Sequence, residues 1–408
     1  MTTDRIVVVG AGHGGATVAA LLRQFGHAGP VTLLSDEALA PYHRPPLSKA
    51  WLTDGRSSIE SLLLRPSGFY ETHDIHLRLN AKVESIDREA KCVALAGGAS
   101  IDYDVLVLAC GSHASRPPIA GLHLEGVSAL RGVTDAEKIR LMLAADRRVA
   151  VIGGGYIGLE VAASACTAGA RVTLFEREDR LLARVVSEPI SAFFAARHAQ
   201  RGVEVRTGAG IAAIEGARGR VEALRLCDGT SVPCDAVVIG TGALPSDALA
   251  RAAGLACDDG VLVDAQARSS DPSIFAIGDM SRRAASAGGY GIRLESVGNA
   301  LEQARLVASA IARRAPPAAE VPWFWSDQFD VKLQIAGLPI GATDAVLRGD
   351  PSSGSFAVFH LRDDVLVCVE AVNAATEFVA GRLLIAKGRQ VAARQLRDPN
   401  ISMKALLA

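Results

Sequence analysis

The sequence predicts an α/β protein with two Rossmann-type parallel-sheet units, because one pattern of strand, glycine-rich turn, helix and strand occurs twice. In the first copy, Ile6 to Val9 is the opening strand and a helix follows from Ala16 to about Phe25. The next strand, Val31 to Leu34, leads directly into the acids Asp36 and Glu37. We therefore predict a first domain of this type at the N-terminus.

The second copy begins with the strand Arg148 to Ile152 and ends with the strand Val172 to Phe175, which Glu176 follows. Further strand-like runs, Tyr103 to Gly111 and Cys234 to Gly242, close the two units in the same way. Chance is a poor explanation for two complete copies.

Both glycine-rich turns have the GxGxxG spacing, in which the first glycine permits a tight turn and the second lets the backbone approach a pyrophosphate. The third glycine lets the helix pack closely on its strand. Asp36 lies 26 residues after Gly10, and Glu176 lies 23 residues after Gly153. These spacings predict a dinucleotide in each unit.

Glu176 favours NADH over NADPH, because an acid at this position accepts hydrogen bonds from the ribose hydroxyls and repels a 2′-phosphate. The neighbouring Arg177 leaves NADPH open, since a guanidinium there could accommodate the phosphate. Two dinucleotides in one chain favour FAD as the tightly held cofactor, because flavin mediates between a hydride donor and one-electron acceptors. Asp279, at the end of the strand-like run from Ser273, could approach a ribityl hydroxyl.

The composition is that of a globular protein with more than one domain, because 408 residues exceed a single core. Hydrophobic residues make up 49% and charged residues 21%, and the net charge of -1 gives no reason to expect a nucleic-acid partner. We find no signal peptide and no apolar run of about 18 residues, so we expect no membrane span. The seven cysteines form no CxxC pair, which argues against a metal site and a redox disulfide and suits the cytoplasm.

An Ala- and Pro-rich stretch from Ala312 to Val321 predicts a linker. Strand-like segments such as Val331 to Ile335 and Phe356 to Leu361 follow it, and helix-like sequence ends the chain. This tail predicts a small α+β domain.

Four longer segments are Pro41 to Lys49 (PYHRPPLSK), Gly153 to Glu160 (GGGYIGLE), Arg293 to Ala304 (RLESVGNALEQA) and Pro322 to Gln328 (PWFWSDQ). All four resemble one family, the oxygenase-coupled, putidaredoxin-reductase-like NADH-dependent ferredoxin reductases that serve cytochrome P450 or, in close relatives, Rieske dioxygenases. The resemblance implies a glutathione-reductase-like fold with an FAD domain at 1–112 and 244–321, an NAD domain at 113–243 and a C-terminal α+β domain at 322–408. It also implies non-covalent FAD, NADH, a [2Fe–2S] ferredoxin as partner, and a monomer or weak homodimer.

The resemblance assigns cofactor contacts to residues of this chain. The FAD contacts would be Gly10, Gly12, His13, Gly14, Gly15, Asp36, Lys49, Val83, Arg131, Asp279 and Val297. The NADH contacts would be Gly153, Gly155, Tyr156, Ile157, Gly158, Glu160, Glu176 and Gly242. The chain departs from the family at His113 to Arg116, at Gly298 and at Cys110.

Lys49, Glu160 and Trp325 are the predicted catalytic residues. Lys49 follows a rigid Pro-Pro-Leu-Ser segment, so we expect a fixed cation near the flavin, paired with Glu160. Trp325 could cover the flavin, and Tyr156 could gate the nicotinamide pocket. The alternatives are a surface lysine, a helix-dipole glutamate and ordinary interface aromatics.

Two rival classes remain for comparison. Thiol-dependent flavoprotein reductases need a cysteine beside the flavin, and this chain has none between Gly10 and Lys82. An apoptosis-inducing-factor-like NADH oxidoreductase usually has targeting or basic segments, which are not visible here. For an acidic ferredoxin, we expect a basic docking patch formed from Arg65, Arg305, Arg313, Arg314 and Lys332.

Overall fold

The computed structural model describes residues 3–54, 58–284 and 290–407, and the chain divides into two units. The first unit comprises residues 1–43, 58–113 and 243–320, and the second comprises 44–57, 114–242 and 321–408.

The strands are β1 (Ile6–Val9), β2 (Val31–Leu34), β3 (Ile75–Arg78), β4 (Val83–Asp87), β5 (Cys92–Leu95), β6 (Ser100–Asp102), β7 (Val105–Leu108), β8 (Ser112–Ala114), β9 (Val127–Ala129), β10 (Arg148–Ile152), β11 (Arg171–Phe175), β12 (Glu204–Arg206), β13 (Ile211–Ala217), β14 (Arg220–Leu226), β15 (Ser231–Pro233), β16 (Ala236–Ile239), β17 (Ala243–Pro245), β18 (Val261–Val263), β19 (Ile274–Ala276), β20 (Ser281–Ala284), β21 (Tyr290–Arg293), β22 (Trp323–Gln328), β23 (Val331–Gly337), β24 (Asp344–Asp350), β25 (Ser355–Arg362) and β26 (Val365–Val372). The α-helices are α1 (His13–Gln24), α2 (Ala50–Thr53), α3 (Ile59–Leu62), α4 (Phe69–Thr72), α5 (Val133–Met142), α6 (Tyr156–Thr167), α7 (Glu188–Gln200), α8 (Ala248–Ala252), α9 (Val297–Ile311), α10 (Ala375–Lys387) and α11 (Ala393–Arg397).

The first unit is built on a parallel sheet with the strand order β19-β7-β1-β2-β3. Alternate residues of β1 enter different clusters, since Ile6 and Val8 belong to one hydrophobic core and Val7 and Val9 to another. This alternation follows from the two-residue period of a strand. Helices α1 and α9 supply apolar side chains to the core that contains Ile6 and Val8. Both faces of β1 are therefore buried, as expected for a parallel sheet.

The second unit contains another parallel sheet, with the order β12-β11-β10-β16-β9. Helix α6 lies against this sheet and buries small and branched side chains such as Leu159 and Ala162. An antiparallel sheet of β13, β14 and β15 packs through Ile214 and Leu224 into a core shared with Ala150 of β10. The same unit also contains the antiparallel sheet β22-β23-β26-β25-β24, which packs against α10.

The structure confirms the repeated pattern of strand, turn and helix and the α+β tail, but it moves one boundary. Helix α1 begins at His13, not at Ala16, because Gly12 already has the extended conformation of a helix N-cap and Gly14 and Gly15 are helical. Between Ile311 and Trp323 the chain has no regular strand or α-helix, as predicted for the linker. No described helix is long and apolar enough to cross a membrane.

Candidate functional site

The first glycine-rich turn, between β1 and α1, contains two glycines that the protein itself requires. Gly10 has φ +103°, and a Cβ atom there would lie 2.4 Å from the Ala109 carbonyl oxygen. A Cβ at Gly15 would lie 1.9 Å from the Gly10 carbonyl oxygen. Gly12 differs, because a Cβ there would meet no atom of the described residues within 4 Å. Packing therefore explains the outer glycines, and the space beside Gly12 fits a pyrophosphate that must approach the backbone.

The turn between β10 and α6 repeats this geometry. Gly153 has φ +109°, and its Cβ would lie 2.4 Å from the Gly240 carbonyl oxygen. A Cβ at Gly158 would lie 1.9 Å from the Gly153 oxygen, whereas one at Gly155 would approach nothing closer than Gly240, at 4.0 Å. We call these two turns, Gly10 to Gly15 and Gly153 to Gly158, the dinucleotide cradles. In each cradle the outer glycines are required by packing and the middle glycine is open.

The N-termini of α1 and α6 complete the two cradles. Gly12 and Gly155 are the N-cap residues, and neither helix has an acidic residue in its first turn. The partial positive charge at each helix start is therefore left for a ligand, and phosphate is the group that such a site binds.

The acids that follow β2 and β11 have different surroundings. Glu176 accepts hydrogen bonds from the backbone nitrogens of Gly154 (2.6 Å) and Glu178 (2.9 Å). A carboxylate has about four acceptor positions, so Glu176 retains capacity for ribose hydroxyls. Asp36 is exposed, whereas Glu37 accepts a hydrogen bond from the Tyr42 hydroxyl at 2.5 Å.

The turn between β19 and β20, which contains Asp279, is held in place by side chains of the first unit. The buried Gln303 side chain accepts a hydrogen bond from the Gly278 nitrogen at 2.6 Å, and Ser112 Oγ donates to Asp279 Oδ2 at 2.8 Å. Arg293 donates to the Asp279 carbonyl oxygen at 3.0 Å. Sequence reasoning identified Asp279 but missed Ser112 and Gln303, although Gln303 lies within one of the family-like segments.

The remaining predicted FAD contacts lie in both units. In the first unit, Val83 opens β4 and Val297 opens α9. His13 Nε2 lies 3.3 Å from His43 Nδ1, and Gly14 is buried, with Ile277 3.1 Å from its would-be Cβ. In the second unit, the Arg131 nitrogen donates to Asp135 and its carbonyl accepts from Arg44.

Lys49 and Glu160 form the predicted ion pair within the second unit. Lys49 ends a 3₁₀ turn over Pro45–Ser48, and its Nζ donates to Glu160 Oε2 at 2.7 Å and to the Pro45 carbonyl at 3.2 Å. Glu160, on α6, is only 3% exposed. Because a buried charge without a partner is costly, this pair fixes both side chains.

Two serines that the sequence did not identify also contact Glu160. Ser48 Oγ donates to Glu160 Oε2 at 2.5 Å, and Ser326 Oγ donates to Oε1 at 2.6 Å. A serine has no diagnostic spacing, and only the fold brings Ser48, α6 and β22 together.

The aromatic residues predicted to act at the flavin and nicotinamide lie on β22 and α6. Trp325 is half-buried, and its ring is stacked on that of Trp323 with centroids 5.3 Å apart. The Tyr156 ring lies 4.3 Å from that of Phe324, and burial raises the pKa of the Tyr156 hydroxyl above its usual value. Tyr156 is thus a neutral, packed side chain at the start of α6.

Two other predicted NADH contacts are accessible. Ile157, in the first turn of α6, is 44% exposed although it is apolar. Gly242 is exposed and has φ +104°, and its carbonyl oxygen accepts a hydrogen bond from the Ser115 nitrogen at 2.9 Å.

Several members of the predicted basic patch already have partners in their own unit. In the first unit, Arg305 forms an ion pair with Glu320, and the guanidinium groups of Arg65 and Arg314 lie over aromatic rings. In the second unit, Lys332 lies 3.8 Å from Asp327. Carboxylates next to Arg305 and Lys332 reduce the positive charge available to a partner.

The thiols give no support to disulfide chemistry. All seven cysteines, which lie among the described residues, are unpaired. Loss of hydration raises the pKa of Cys110 to about 12, so this thiol is protonated at neutral pH. No cluster of metal-ligating side chains occurs in the described part of the chain.

Comparison with known proteins identifies the family of this chain. Residues 4–304 match the family described as pyridine nucleotide-disulphide oxidoreductase, and residues 323–407 match the reductase C-terminal family. The chain is 47% identical to the probable ferredoxin reductase CtmF of Castellaniella defragrans, over 99% of this chain and 98% of that protein. It is 39% identical to the ferredoxin–NAD(+) reductase component of the anthranilate 1,2-dioxygenase system of Burkholderia cepacia, over the whole of both chains.

A solved covalent complex of putidaredoxin reductase with putidaredoxin contains a chain of the same fold. It has 39% identity and a TM-score of 0.96, and the match covers 100% of this chain and 99% of that chain. The chain therefore belongs to the putidaredoxin-reductase-like ferredoxin reductases, which are FAD- and NAD(H)-binding oxidoreductases of the pyridine nucleotide-disulphide class.

Proposed function

We propose that this protein takes electrons from NADH and passes them through FAD to a [2Fe–2S] ferredoxin that serves a cytochrome P450. The observation that carries the proposal is the pair of dinucleotide cradles in one chain, each with an open middle glycine. Flavin accepts a hydride as an electron pair and releases the electrons singly, which is the conversion that a ferredoxin requires.

The cradle at Gly10 to Gly15 would hold the FAD pyrophosphate, with Asp36 at the adenosine ribose and Asp279 at the ribityl chain. Val83, Arg131 and Val297 are the other proposed contacts. Lys49, held by Glu160, would place a positive charge near the isoalloxazine and favour the reduced flavin. Trp325 would limit access of water to the flavin.

The cradle at Gly153 to Gly158 would hold NADH, with Tyr156, Ile157 and Gly242 lining the site. Glu176 would accept the ribose hydroxyls, and its charge disfavours a 2′-phosphate. Arg177 is 83% exposed and forms an ion pair with Glu178 at 3.0 Å, which supports NADH because this guanidinium already has a carboxylate partner.

We propose the domain limits that the resemblance implies, namely an FAD domain at 1–112 and 244–321, an NAD domain at 113–243 and a C-terminal domain at 322–408. The first unit of the structure, which combines the N-terminal segments with 243–320, supports a discontinuous FAD domain. We also propose that the protein acts in the cytoplasm, as a monomer or weak homodimer.

The acceptor is tested by steady-state reduction of cytochrome c with NADH and a panel of candidate [2Fe–2S] ferredoxins. We expect rapid reduction only when the physiological ferredoxin is added. Rapid reduction without any ferredoxin, or none with every [2Fe–2S] protein of the source organism, would contradict the proposal.

The second candidate is the reductase component of a Rieske dioxygenase. Similarity to the anthranilate 1,2-dioxygenase reductase component favours it, since the match covers both chains completely. Reconstitution separates the two candidates, because the ferredoxin that this reductase serves will support turnover of either a P450 or a Rieske oxygenase.

A further inference from the structure

The Glu160 carboxylate is the end point of a chain of hydrogen bonds that the proposed function does not explain. Its Oε2 accepts from Lys49 and Ser48, but among the described residues its Oε1 accepts from Ser326 alone, at 2.6 Å. Ser326 has no exposed surface, so water does not replace this donor readily. The hydrogen bonding and the position of Oε1 therefore depend on one hydroxyl group.

The direction of each hydrogen bond in this chain follows from the carboxylate. The Glu160 carboxylate can only accept hydrogen bonds, so Ser326 must donate its single hydroxyl hydrogen to it. Ser326 Oγ therefore acts as the acceptor in its other hydrogen bond, with Gln328 Nε2 at 3.1 Å as the donor. This orients the Gln328 amide, whose Oε1 faces His198 Nε2 at 2.9 Å. His198 must therefore donate through Nε2.

His198 is suited to this role because it is fully buried. Burial lowers the pKa of its imidazole, and Nδ1 has no hydrogen-bond partner in the described part of the chain, so the ring is neutral with its hydrogen on Nε2. Three successive donors thus point toward Glu160, and aligned hydrogen bonds of this kind strengthen one another in a buried site.

We propose that Ser326, oriented by Gln328 and His198, is a positioning residue that holds the Glu160 carboxylate opposite Lys49 and so sets how far this carboxylate compensates the Lys49 charge at the flavin. This inference rests on the proposed function, because it requires Lys49 to act on bound FAD. Removal of the Ser326 hydroxyl leaves Oε1 buried without its donor, so the carboxylate is no longer held in its position opposite Lys49.

The test is anaerobic redox titration of the FAD-loaded protein, with the midpoint potential of the flavin as the readout. We expect Glu160→Gln and Ser326→Ala to shift the potential to more positive values, because both leave the Lys49 charge less compensated. In the Glu160→Gln background, Ser326→Ala should cause no further shift. Ser326→Thr, which keeps the hydroxyl, should restore the wild-type potential.

Ser191→Ala is the matched control, since Ser191 is equally buried but donates to the Leu181 carbonyl oxygen instead of to a carboxylate. It should leave the potential unchanged. If Ser326→Ala does not fold with a full FAD content, Gln328→Leu is the alternative variant, because it removes the next hydrogen bond, the one from Gln328 to Ser326. We expect it to shift the flavin potential in the same direction by a smaller amount.

The inference is overturned if Ser326→Ala leaves the potential unchanged while Glu160→Gln shifts it, or if the two shifts add in the double variant. Lys49→Met separates this inference from the proposed function. A potential that does not fall in Lys49→Met would contradict the placing of Lys49 near FAD, whereas ferredoxin-dependent turnover would still test the electron-transfer function.

Discussion

At the scale of single residues, the two glycine-rich turns separate the glycines that the fold needs from those that a ligand needs. Gly158 packs against the backbone of Gly153, whereas Gly155 has free space around its would-be Cβ. The same division holds for Gly15 and Gly12. We therefore propose that the open glycines mark where a pyrophosphate approaches the chain.

Gly155→Ala should consequently impair NADH binding, whereas Gly158→Ala should impair stability. We expect Gly155→Ala to keep its free energy of unfolding to within about 0.5 kcal/mol but to raise the Kd for NADH at least about tenfold, because the methyl group occupies the phosphate position. Gly158→Ala should lose about 1–3 kcal/mol of stability through its clash with the Gly153 oxygen. Urea unfolding and NADH titration measure the two effects. Equal losses of stability would contradict this account.

Glu176 is the residue that should discriminate between the two nicotinamide cofactors. Glu176→Ala should lower kcat/KM for NADH by about tenfold or more, because hydrogen bonds to a charged group contribute about 1.5–3 kcal/mol. The value for NADPH should fall less. Asp179→Ala removes a nearby exposed acid and should change neither value appreciably. Equal use of NADH and NADPH by the unaltered protein would show that the cofactor assignment is wrong.

Residues that must occur at a fixed spacing in a motif could be predicted from the sequence. The side chains that form hydrogen bonds with them could not. Gly10, Gly153 and the Lys49–Glu160 pair were identified through spacing or family resemblance. Ser326 and Gln303 were missed, because hydroxyl and amide side chains are common throughout the chain. Their roles depend on contacts between segments distant in sequence, which no local pattern encodes.

At the scale of secondary structure, α7 is attached to the C-terminal sheet at both of its ends. At its N-terminus the Ser187 nitrogen donates to Glu370 Oε1 at 2.9 Å, and Glu370 is only 1% exposed on β26. Near its C-terminus, Arg197 and Arg201 form ion pairs with Asp330. Glu370 thus supplies the cap that the Ser187 side chain does not provide.

Glu370→Ala should lower the free energy of unfolding by about 1–3 kcal/mol, because it removes a helix cap and leaves buried donors without a partner. Glu188→Ala is the control, since Glu188 is exposed in the first turn of the same helix and acts only through the helix dipole. We expect it to cost less than about 1 kcal/mol. A comparable loss in both variants, measured by urea unfolding, would exclude the capping role.

His198 should make stability depend on pH. Its folded-state pKa lies below the usual value of 6.5, so the unfolded chain binds the proton more readily. This contribution is therefore favourable above pH 6.5 and is lost as the pH falls toward the folded-state pKa. Relative to wild type, His198→Phe should lose less stability between pH 7 and 5.5, by up to about 1 kcal/mol.

Urea unfolding at the two pH values measures this difference. The exposed His123, replaced by phenylalanine, is the control and should retain the wild-type dependence. If His198→Phe keeps the full pH dependence, the imidazole is not responsible for it.

Elements with a clear period were predictable, and very short ones were not. The strands β1, β2 and β10 were identified exactly as they occur, because β-branched runs bounded by glycine or acids favour strands. Helices α2 and α3 contain only four residues each, too few to show a helical period. They form because tertiary contacts fix them, as Trp51 of α2 shows by donating to Glu137 at 2.8 Å.

At the scale of the whole molecule, the duplicated cradle accounts for the family's combination of a hydride donor with a one-electron acceptor. In the proposed function, one cradle holds FAD and the other binds and releases NADH, and the described thiols are unpaired. Sequence patterns predicted the two cradles, whereas the ferredoxin follows from resemblance, because a docking surface has no fixed spacing along a chain.

Anaerobic stopped-flow mixing tests the central claim most directly, with the FAD-loaded protein, NADH and an excess of oxidised [2Fe–2S] ferredoxin. The account predicts that each NADH reduces two ferredoxins, because a hydride carries two electrons and each cluster accepts one. NADPH at the same concentration should act much more slowly. A long-lived charge-transfer band of NADH with reduced flavin, while the ferredoxin remains oxidised, would contradict the account.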